Sequence, residues 1–179
     1  GLQISQVSHG LMPNLAAFAD DGVRFENHHS VFPTVTRVNV ASITTGRYPG
    51  GHGIAGNNFL DRGFNPGRIL PALRPELGEL FEKTGEILLV PNLAETLSVA
   101  GKEYVAIGTG SSGNAFLHNP HADMVGGAAI HPDFCQPTSL HSKIIERYGE
   151  WPGATPLPAE ERIVRGVDIL LGQVLETFD

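Results

Sequence analysis

The stretch SVFPTVTRVNVASITTGRYPGGHGIAGN, residues 30–57, decides both the expected fold and the expected site. It predicts an apolar strand end, a bend at Pro33, a helix over residues 37–45 that closes at Gly46, and a loop rich in Gly and Pro. Thr36 lies between the strand end and the helix, where backbone N–H groups lack partners and favour an oxyanion. On this local pattern alone, the favoured interpretation of Thr36 is a helix N-cap.

Several residues of this stretch fall at the spacing of one family pattern, F-P-T-x-T-x-x-N, then S-I-x-T-G-x-Y-P, then H-G-I-x-x-N. The matching residues are Phe32-Pro33-Thr34, Thr36, Asn39, Ser42-Ile43, Thr45-Gly46, Tyr48-Pro49, His52-Gly53-Ile54 and Asn57. By this match the chain resembles the type I phosphodiesterase / nucleotide pyrophosphatase family, a branch of the alkaline phosphatase superfamily. It departs from the pattern at Arg37-Val38, where nucleotide-cleaving members often carry Phe-Pro, and this leaves the leaving group of the substrate open.

The resemblance implies roles for residues of this stretch. Thr36 would be the nucleophile and a metal ligand, and Asn57 would hold the phosphate oxygen that gains charge. Two divalent metal ions, zinc by resemblance, would activate Thr36 and polarise the phosphoryl group. Arg37 either contacts a second phosphate or is a solvated arginine at a helix start, and His52 is expected to make a structural hydrogen bond. The expected function is a metal-dependent hydrolase that cleaves phosphodiester or pyrophosphate bonds in nucleotide-type substrates through a phospho-threonine intermediate.

The resemblance covers nearly all of the chain but only the front part of the family's domain. Residues 1–179 are expected to be the front part of one alkaline-phosphatase-like catalytic domain, with residues 58–86 as a candidate lid or insertion. In the family, an aspartate ligand would precede Gly1, and further Asp and His ligands would follow Asp179. Thr36 is then the only metal ligand expected within the chain, so these residues alone are expected to bind no metal pair and to be inactive.

A second motif, Gly108–Gly113, reads G-x-G-x-x-G after a predicted strand, which is the pattern of a dinucleotide-binding turn. Asn119-Pro120 would interrupt the following helix within two turns, so the favoured interpretation is a Gly/Ser turn at the end of a core strand. Two alternative functions stay open. One is a sibling hydrolase acting on phosphomonoesters or phosphonates, and the other is a non-catalytic nucleotide-binding domain that uses this loop.

The composition suits a single folded domain with a substantial core, since 41% of the 179 residues are hydrophobic. A net charge of −7 argues against binding to a nucleic-acid duplex or an anionic membrane surface, so the expected partner is a small phosphodiester or nucleotide. No apolar run approaches the roughly 18 residues that a membrane span needs. The single cysteine, Cys135, excludes an internal disulfide and is interpreted as a packed or surface thiol rather than a nucleophile. Oligomeric state and compartment stay open, although the resemblance is compatible with a periplasmic or extracellular location.

Two histidine clusters contain residue types that bind metal ions. His28 and His29 are adjacent, but no third ligand is spaced to join them, so they are interpreted as polar residues at a strand end. His118, His121 and Asp123 form H-x-x-H-x-D in a segment broken by proline, and the favoured interpretation is a surface loop.

Periodicity and capping signals predict alternating strands and helices. The predicted helices are residues 13–22, 76–83, 92–101, 139–148 and 160–178, and the predicted strands are residues 23–27, 87–90 and 104–107. This alternation indicates an α/β layered fold with a largely parallel central sheet flanked by helices, which the resemblance makes alkaline-phosphatase-like.

Overall fold

The structure is a computed structural model that describes residues 3–149 together with residues 164, 168 and 172. The chain forms two compact units, residues 1–30 and residues 31–179. The helix predicted over residues 160–178 lies outside the described residues, apart from three positions that are helical, Val164, Asp168 and Gly172.

The first unit contains a 3₁₀ turn, Ile4–Gln6, and helix α1, Pro13–Asp21. Helix α1 confirms its prediction, because a proline occupies the first turn and Gly22 follows the last turn. Its apolar residues are less buried than the predicted stripe requires, since Phe18 is 76% exposed and only Ala16 is buried.

Two of the predicted strands, residues 23–27 and residues 87–90, do not form, so these predictions are wrong. Residues 23–27 form no strand, and Val23 and Phe25 are both more than three-quarters exposed. Their alternating pattern finds neither a pairing strand nor a core among the described residues, and alternation alone cannot hold an isolated strand. Residues 87–90 form a series of bends, where Leu89 donates its N–H to the carbonyl of His52 at 3.3 Å instead of joining a sheet.

The second unit holds the remaining elements. Its described helices are α2, Thr36–Thr45; α3, Pro49–His52; α4, Arg74–Thr84; α5, Leu93–Val99; α6, Ser112–His118; α7, Ala122–Val125; and α8, Thr138–Tyr148. Its described strands are β1, Asn58–Phe59; β2, Leu70–Pro71; β3, Val105–Ile107; β4, Ala128–His131; and β5, Phe134–Gln136. No helix in the described part of the chain is long and apolar enough to cross a membrane.

The helices predicted over residues 37–45, 76–83, 92–101 and 139–148 are confirmed, with ends set by local signals. Asn92 caps α5 through a reciprocal pair of bonds, in which its side chain accepts from the Glu95 N–H at 2.9 Å and Glu95 accepts from the Asn92 N–H at 2.7 Å. Gly46 ends α2 in the left-handed conformation with φ of 66°, which glycine adopts without steric cost.

The sheets are small and mixed. β1 pairs with β2 antiparallel, and a second sheet has the order β3-β4-β5, with β3 parallel to β4 and β4 antiparallel to β5. Helices α6 and α7 connect the two parallel strands, which is the crossover typical of α/β folds. The mixed α/β class is therefore confirmed. Only one strand pairing is parallel within the described residues, so the largely parallel central sheet stays a prediction.

The main core lies between α2, α6, α4 and β4. Its buried residues include Val38 of α2, Leu77 of α4, Leu117 of α6 and Ala129 of β4. The approach of α6 requires glycine at Gly113, where a Cβ would overlap the backbone carbonyl of Ala72. This packing brings the start of α6 close to the start of α2.

Candidate active site

Helix α2 begins at Thr36, and its N-cap is Val35, whose side chain makes no capping bond. The N-cap interpretation of Thr36 is therefore wrong, because Thr36 is the first residue inside the helix rather than the residue before it. Its side chain is exposed, and its hydroxyl makes no hydrogen bond within the described residues. The hydroxyl of Thr36 is therefore free to contact a ligand that binds at the start of α2.

Asn39 holds the segment that precedes the helix. Its Oδ1 accepts from the N–H of Val31 at 2.9 Å, and its Nδ2 donates to the carbonyl of Val35 at 3.0 Å. These bonds fix the chain on both sides of the bend at Pro33. Sequence reasoning assigned Asn39 no role, although its place in the matched pattern was a signal that it had one.

Asn57 lies directly beside the start of α2. Its Oδ1 accepts a hydrogen bond from the backbone N–H of Arg37 at 3.3 Å. Because a backbone N–H can only donate, this bond fixes the amide orientation and leaves the two Nδ2 protons free within the described residues. The structure thus brings Thr36, Arg37 and Asn57 together.

The side chain of Arg37 is half-buried and turns toward the glycine-rich loop. Its Nη2 donates to Oγ of Ser111 at 2.8 Å, and its Nε is buried without a partner. The interpretation of Arg37 as a solvated arginine is therefore wrong. Among the described residues no carboxylate forms an ion pair with it.

The glycine-rich loop, residues 108–113, links β3 to α6. A Cβ at Gly108 would lie 2.9 Å from Cβ of Ala115, so this glycine allows the loop to pack against α6. The carbonyl of Gly110 accepts a hydrogen bond from Nε2 of His131 at 2.9 Å. Helix α6 has seven residues and ends at His118, as the Asn-Pro interruption predicts. The favoured interpretation, a turn after a core strand, is confirmed.

His52 is fully buried and confirms its expected structural role. Its Nδ1 accepts from the N–H of Ile54 at 3.1 Å, so the neutral ring carries its proton on Nε2, which donates to Oγ of Ser42 at 2.9 Å. Burial lowers the pKa of His52 below its ordinary value. The ring therefore ties the loop after α3 to helix α2.

The second histidine cluster does not converge. Nδ1 of His118 bonds to the Tyr104 hydroxyl at 3.0 Å, while Nδ1 of His121 pairs with Oε1 of Glu95 at 3.0 Å. The surface-loop interpretation is wrong, because His118 lies in α6 and Asp123 lies in α7. Both histidines are half-buried, and of the three residues only Asp123 is exposed.

Neither the first histidine pair nor the cysteine forms a site. His28 and His29 are both exposed, and in residues 3–149 no group of three His, Cys, Asp or Glu side chains is placed to hold a metal ion. Cys135 is 2% exposed, and burial raises its pKa to about 11, so it is a packed thiol rather than a nucleophile.

A free hydroxyl, an amide donor and a guanidinium at one helix start suit the oxygens of a phosphate ester. The sequence model of the family described as type I phosphodiesterase / nucleotide pyrophosphatase matches residues 1–150, and the chain belongs to this family.

Curated relatives match shorter stretches. The chain is 38% identical over 61 residues to an uncharacterized pyrophosphatase/phosphodiesterase of Schizosaccharomyces pombe, which is 34% of this chain and 13% of that protein. It is 42% identical over 55 residues to venom phosphodiesterase 2 of Crotalus adamanteus, which is 31% of this chain and 7% of that protein. The matched part of the chain therefore spans a small fraction of these relatives. No solved structure matches the chain.

Proposed function

We propose that the protein containing this chain hydrolyses phosphodiester or pyrophosphate bonds in nucleotide-type substrates, with Thr36 as the nucleophile. The observation that carries the proposal is the exposed, unbonded hydroxyl of Thr36 at the start of α2, next to Asn57 and Arg37. The family to which the chain belongs, and the names of its relatives, point to the same bond class.

In the proposed reaction, Oγ of Thr36 attacks the phosphorus of the substrate. A bond forms between Oγ and phosphorus, the bond to the leaving group breaks, and the hydroxyl proton is lost. Water then cleaves the phospho-threonine and restores the hydroxyl. Within the described residues no base is hydrogen-bonded to Thr36, so the group that takes its proton would lie outside them.

Asn57 would stabilise the oxygen on which charge develops. Its Nδ2 protons are free because Oδ1 is occupied by the Arg37 N–H. A donor that is already oriented does not need to reorganise when charge appears, and for this reason such donors contribute strongly to rate. Arg37, which lacks an ion-pair partner among the described residues, would contact a further anionic oxygen.

The described residues do not by themselves fit a two-metal site. A catalytic zinc ion usually has three protein ligands, and here the one candidate ligand is the Thr36 hydroxyl. A metal pair would need ligands from beyond the described residues.

We also propose that the chain is the front part of an alkaline-phosphatase-like domain with a largely parallel sheet. The parallel crossover from β3 to β4 supports this assignment. Residues 58–86, which contain the β1–β2 hairpin and α4, are proposed as a lid or insertion, although α4 also places Leu77 and Leu80 in the interior.

The test is turnover by the full-length protein of bis(p-nitrophenyl) phosphate and of p-nitrophenyl phosphate. A diester hydrolase is expected to favour the first substrate by at least about tenfold in kcat/KM. A preference for the monoester would show the sibling activity instead. Turnover of neither substrate, with retained affinity for nucleotides, would favour a binding domain.

A further inference from the structure

Helix α6 starts with a serine that does not cap it. Ser111 is the N-cap residue, yet its side chain makes no capping bond. Serine at this position usually accepts a hydrogen bond from a backbone N–H of the first helical turn. Here the Ser111 hydroxyl instead accepts from Nη2 of Arg37 at 2.8 Å, across 74 positions of sequence.

The loop that carries Ser111 is held from both sides. Gly108 packs against Ala115, Gly113 packs against the Ala72 carbonyl, and the Gly110 carbonyl is bonded to His131. The hydroxyl of Ser111 is therefore presented by a fixed backbone rather than by a free loop.

Arg37 is restrained at two points and still lacks an anion. Its backbone N–H is bonded to Asn57, and its Nη2 is bonded to Ser111. Its Nη1 is neither buried nor hydrogen-bonded within the described residues. A half-buried guanidinium without a carboxylate partner favours an anionic ligand, because a charge is costly to remove from water unless it is paired.

We propose that Ser111 is a positioning residue that holds Arg37 for an anionic group of the substrate other than the phosphorus attacked by Thr36. Because the serine oxygen accepts from Arg37, its own O–H stays free to donate toward the same anion. The glycine-rich loop thus acts as a support for the side chain that departs from the family pattern. This inference rests on the proposed function, since it assigns a task within the same site.

The first test is equilibrium binding to the full-length protein, with AMP and with α,β-methylene-ADP, which carries a second anionic group that cannot be hydrolysed. Ser111→Ala is expected to weaken binding of α,β-methylene-ADP about tenfold and binding of AMP less than twofold. Ser111→Thr, which keeps the hydroxyl, is expected to bind as the wild type does. Ser112→Ala is the matched control, because the Ser112 hydroxyl accepts from the N–H of Arg74 at 3.4 Å and not from Arg37.

The second test is a double-mutant cycle, which separates positioning from local damage to α6. If Ser111 acts through Arg37, Ser111→Ala adds no loss of α,β-methylene-ADP affinity to the Arg37→Met variant. Additive losses, equal losses for both nucleotides, or no preference of the wild type for α,β-methylene-ADP would each overturn the proposal.

Catalysis distinguishes this inference from the function on which it rests. With ATP as substrate, Ser111→Ala is expected to raise KM about tenfold and to change kcat less than twofold. If the wild type hydrolyses bis(p-nitrophenyl) phosphate but Ser111→Ala does not raise KM for ATP selectively over kcat, the proposed function stands and the positioning role of Ser111 is refuted. If the wild type hydrolyses no substrate but Ser111→Ala still weakens binding of α,β-methylene-ADP more than binding of AMP, only the proposed function is refuted.

Discussion

Oδ1 of Asn57 lies 3.3 Å from the backbone nitrogen of Arg37, so an amide in a loop accepts from the first turn of the helix that carries Thr36. This bond joins Asn57, the last residue of the stretch 30–57, to the helix start within the same stretch. It also orients the amide, because the acceptor side is occupied and the donor side faces away. Because the bond does not involve the Thr36 side chain, substitutions of Thr36 and of Asn57 can test the roles of these two residues separately.

Replacement of Thr36 by alanine is expected to lower kcat for diester hydrolysis at least about 10³-fold, as loss of a nucleophile does. The unfolding free energy is expected to change by less than about 0.5 kcal/mol, because the side chain is exposed and unbonded. Thr34→Ala, at an exposed position two residues earlier, is the control. Kinetics and urea unfolding of both variants test the assignment, and near wild-type turnover of Thr36→Ala would refute it.

Two substitutions of Asn57 divide its acceptor role from its donor role. Asn57→Ala is expected to lower kcat about 10²-fold, as loss of one oxyanion donor does. Asn57→Asp keeps an acceptor for the Arg37 N–H but has no Nδ2 protons, so it is expected to be at least as slow. If Asn57→Asp is as active as the wild type, Asn57 serves only to hold the helix start.

Replacement of Asn39 by alanine is expected to lower the unfolding free energy by about 1–3 kcal/mol, because the Val31 N–H loses its partner and the Val35 carbonyl keeps only the backbone N–H of residue 39. Urea unfolding measures this change. Asn58→Ala, at an exposed strand position, is the control and is expected to stay within about 0.5 kcal/mol of the wild type.

Acid is expected to destabilise the protein through His52. Burial lowers the pKa of His52 from an ordinary value of 6.5. Below pH 6.5 the imidazole therefore binds a proton more readily in the unfolded state than in the folded state. The contribution of His52 to stability is therefore complete above pH 6.5 and is lost as the pH falls below it, by at most about 1.4 kcal/mol per pH unit.

Urea midpoints between pH 8 and pH 5, at about half-unit steps, measure this slope. Burial also lowers the pKa of His118, so a weaker slope of the same sign is expected to remain in His52→Gln. An unchanged slope in that variant would show that the ring is not the titrating group.

Cys135 is expected to resist alkylation in the folded protein. With a pKa of about 11, only about one thiol in 10³ is ionised at pH 8, and the sulfur is also shielded from solvent. Mass spectrometry after iodoacetamide treatment is expected to show no adduct in buffer and full labelling in urea. Rapid labelling of the folded chain would mean that the thiol is accessible.

Local signals predicted the helices well. The Pro13 start, the Asn92–Glu95 cap and the Gly46 end each depend on residues within one or two turns, so sequence order alone is sufficient to determine them. The strand predictions at residues 23–27 and 87–90 failed for the opposite reason, since a strand exists only when a partner pairs with it.

The sequence by itself determined that a hydroxyl, Thr36, and an amide, Asn57, occur at the spacing of one family, that a guanidinium, Arg37, stands where the chain departs from that pattern, and that a helix begins next to these residues. The tertiary structure alone decided that Arg37 is drawn to Ser111 and that Asn57 faces the helix start with its donor side free. These contacts join residues 74 and 20 positions apart. The first exists because α6 packs against α2, and the second because the loop after α3 returns to the start of α2. Contacts at such separations depend on how whole elements pack, which no local pattern of residues specifies.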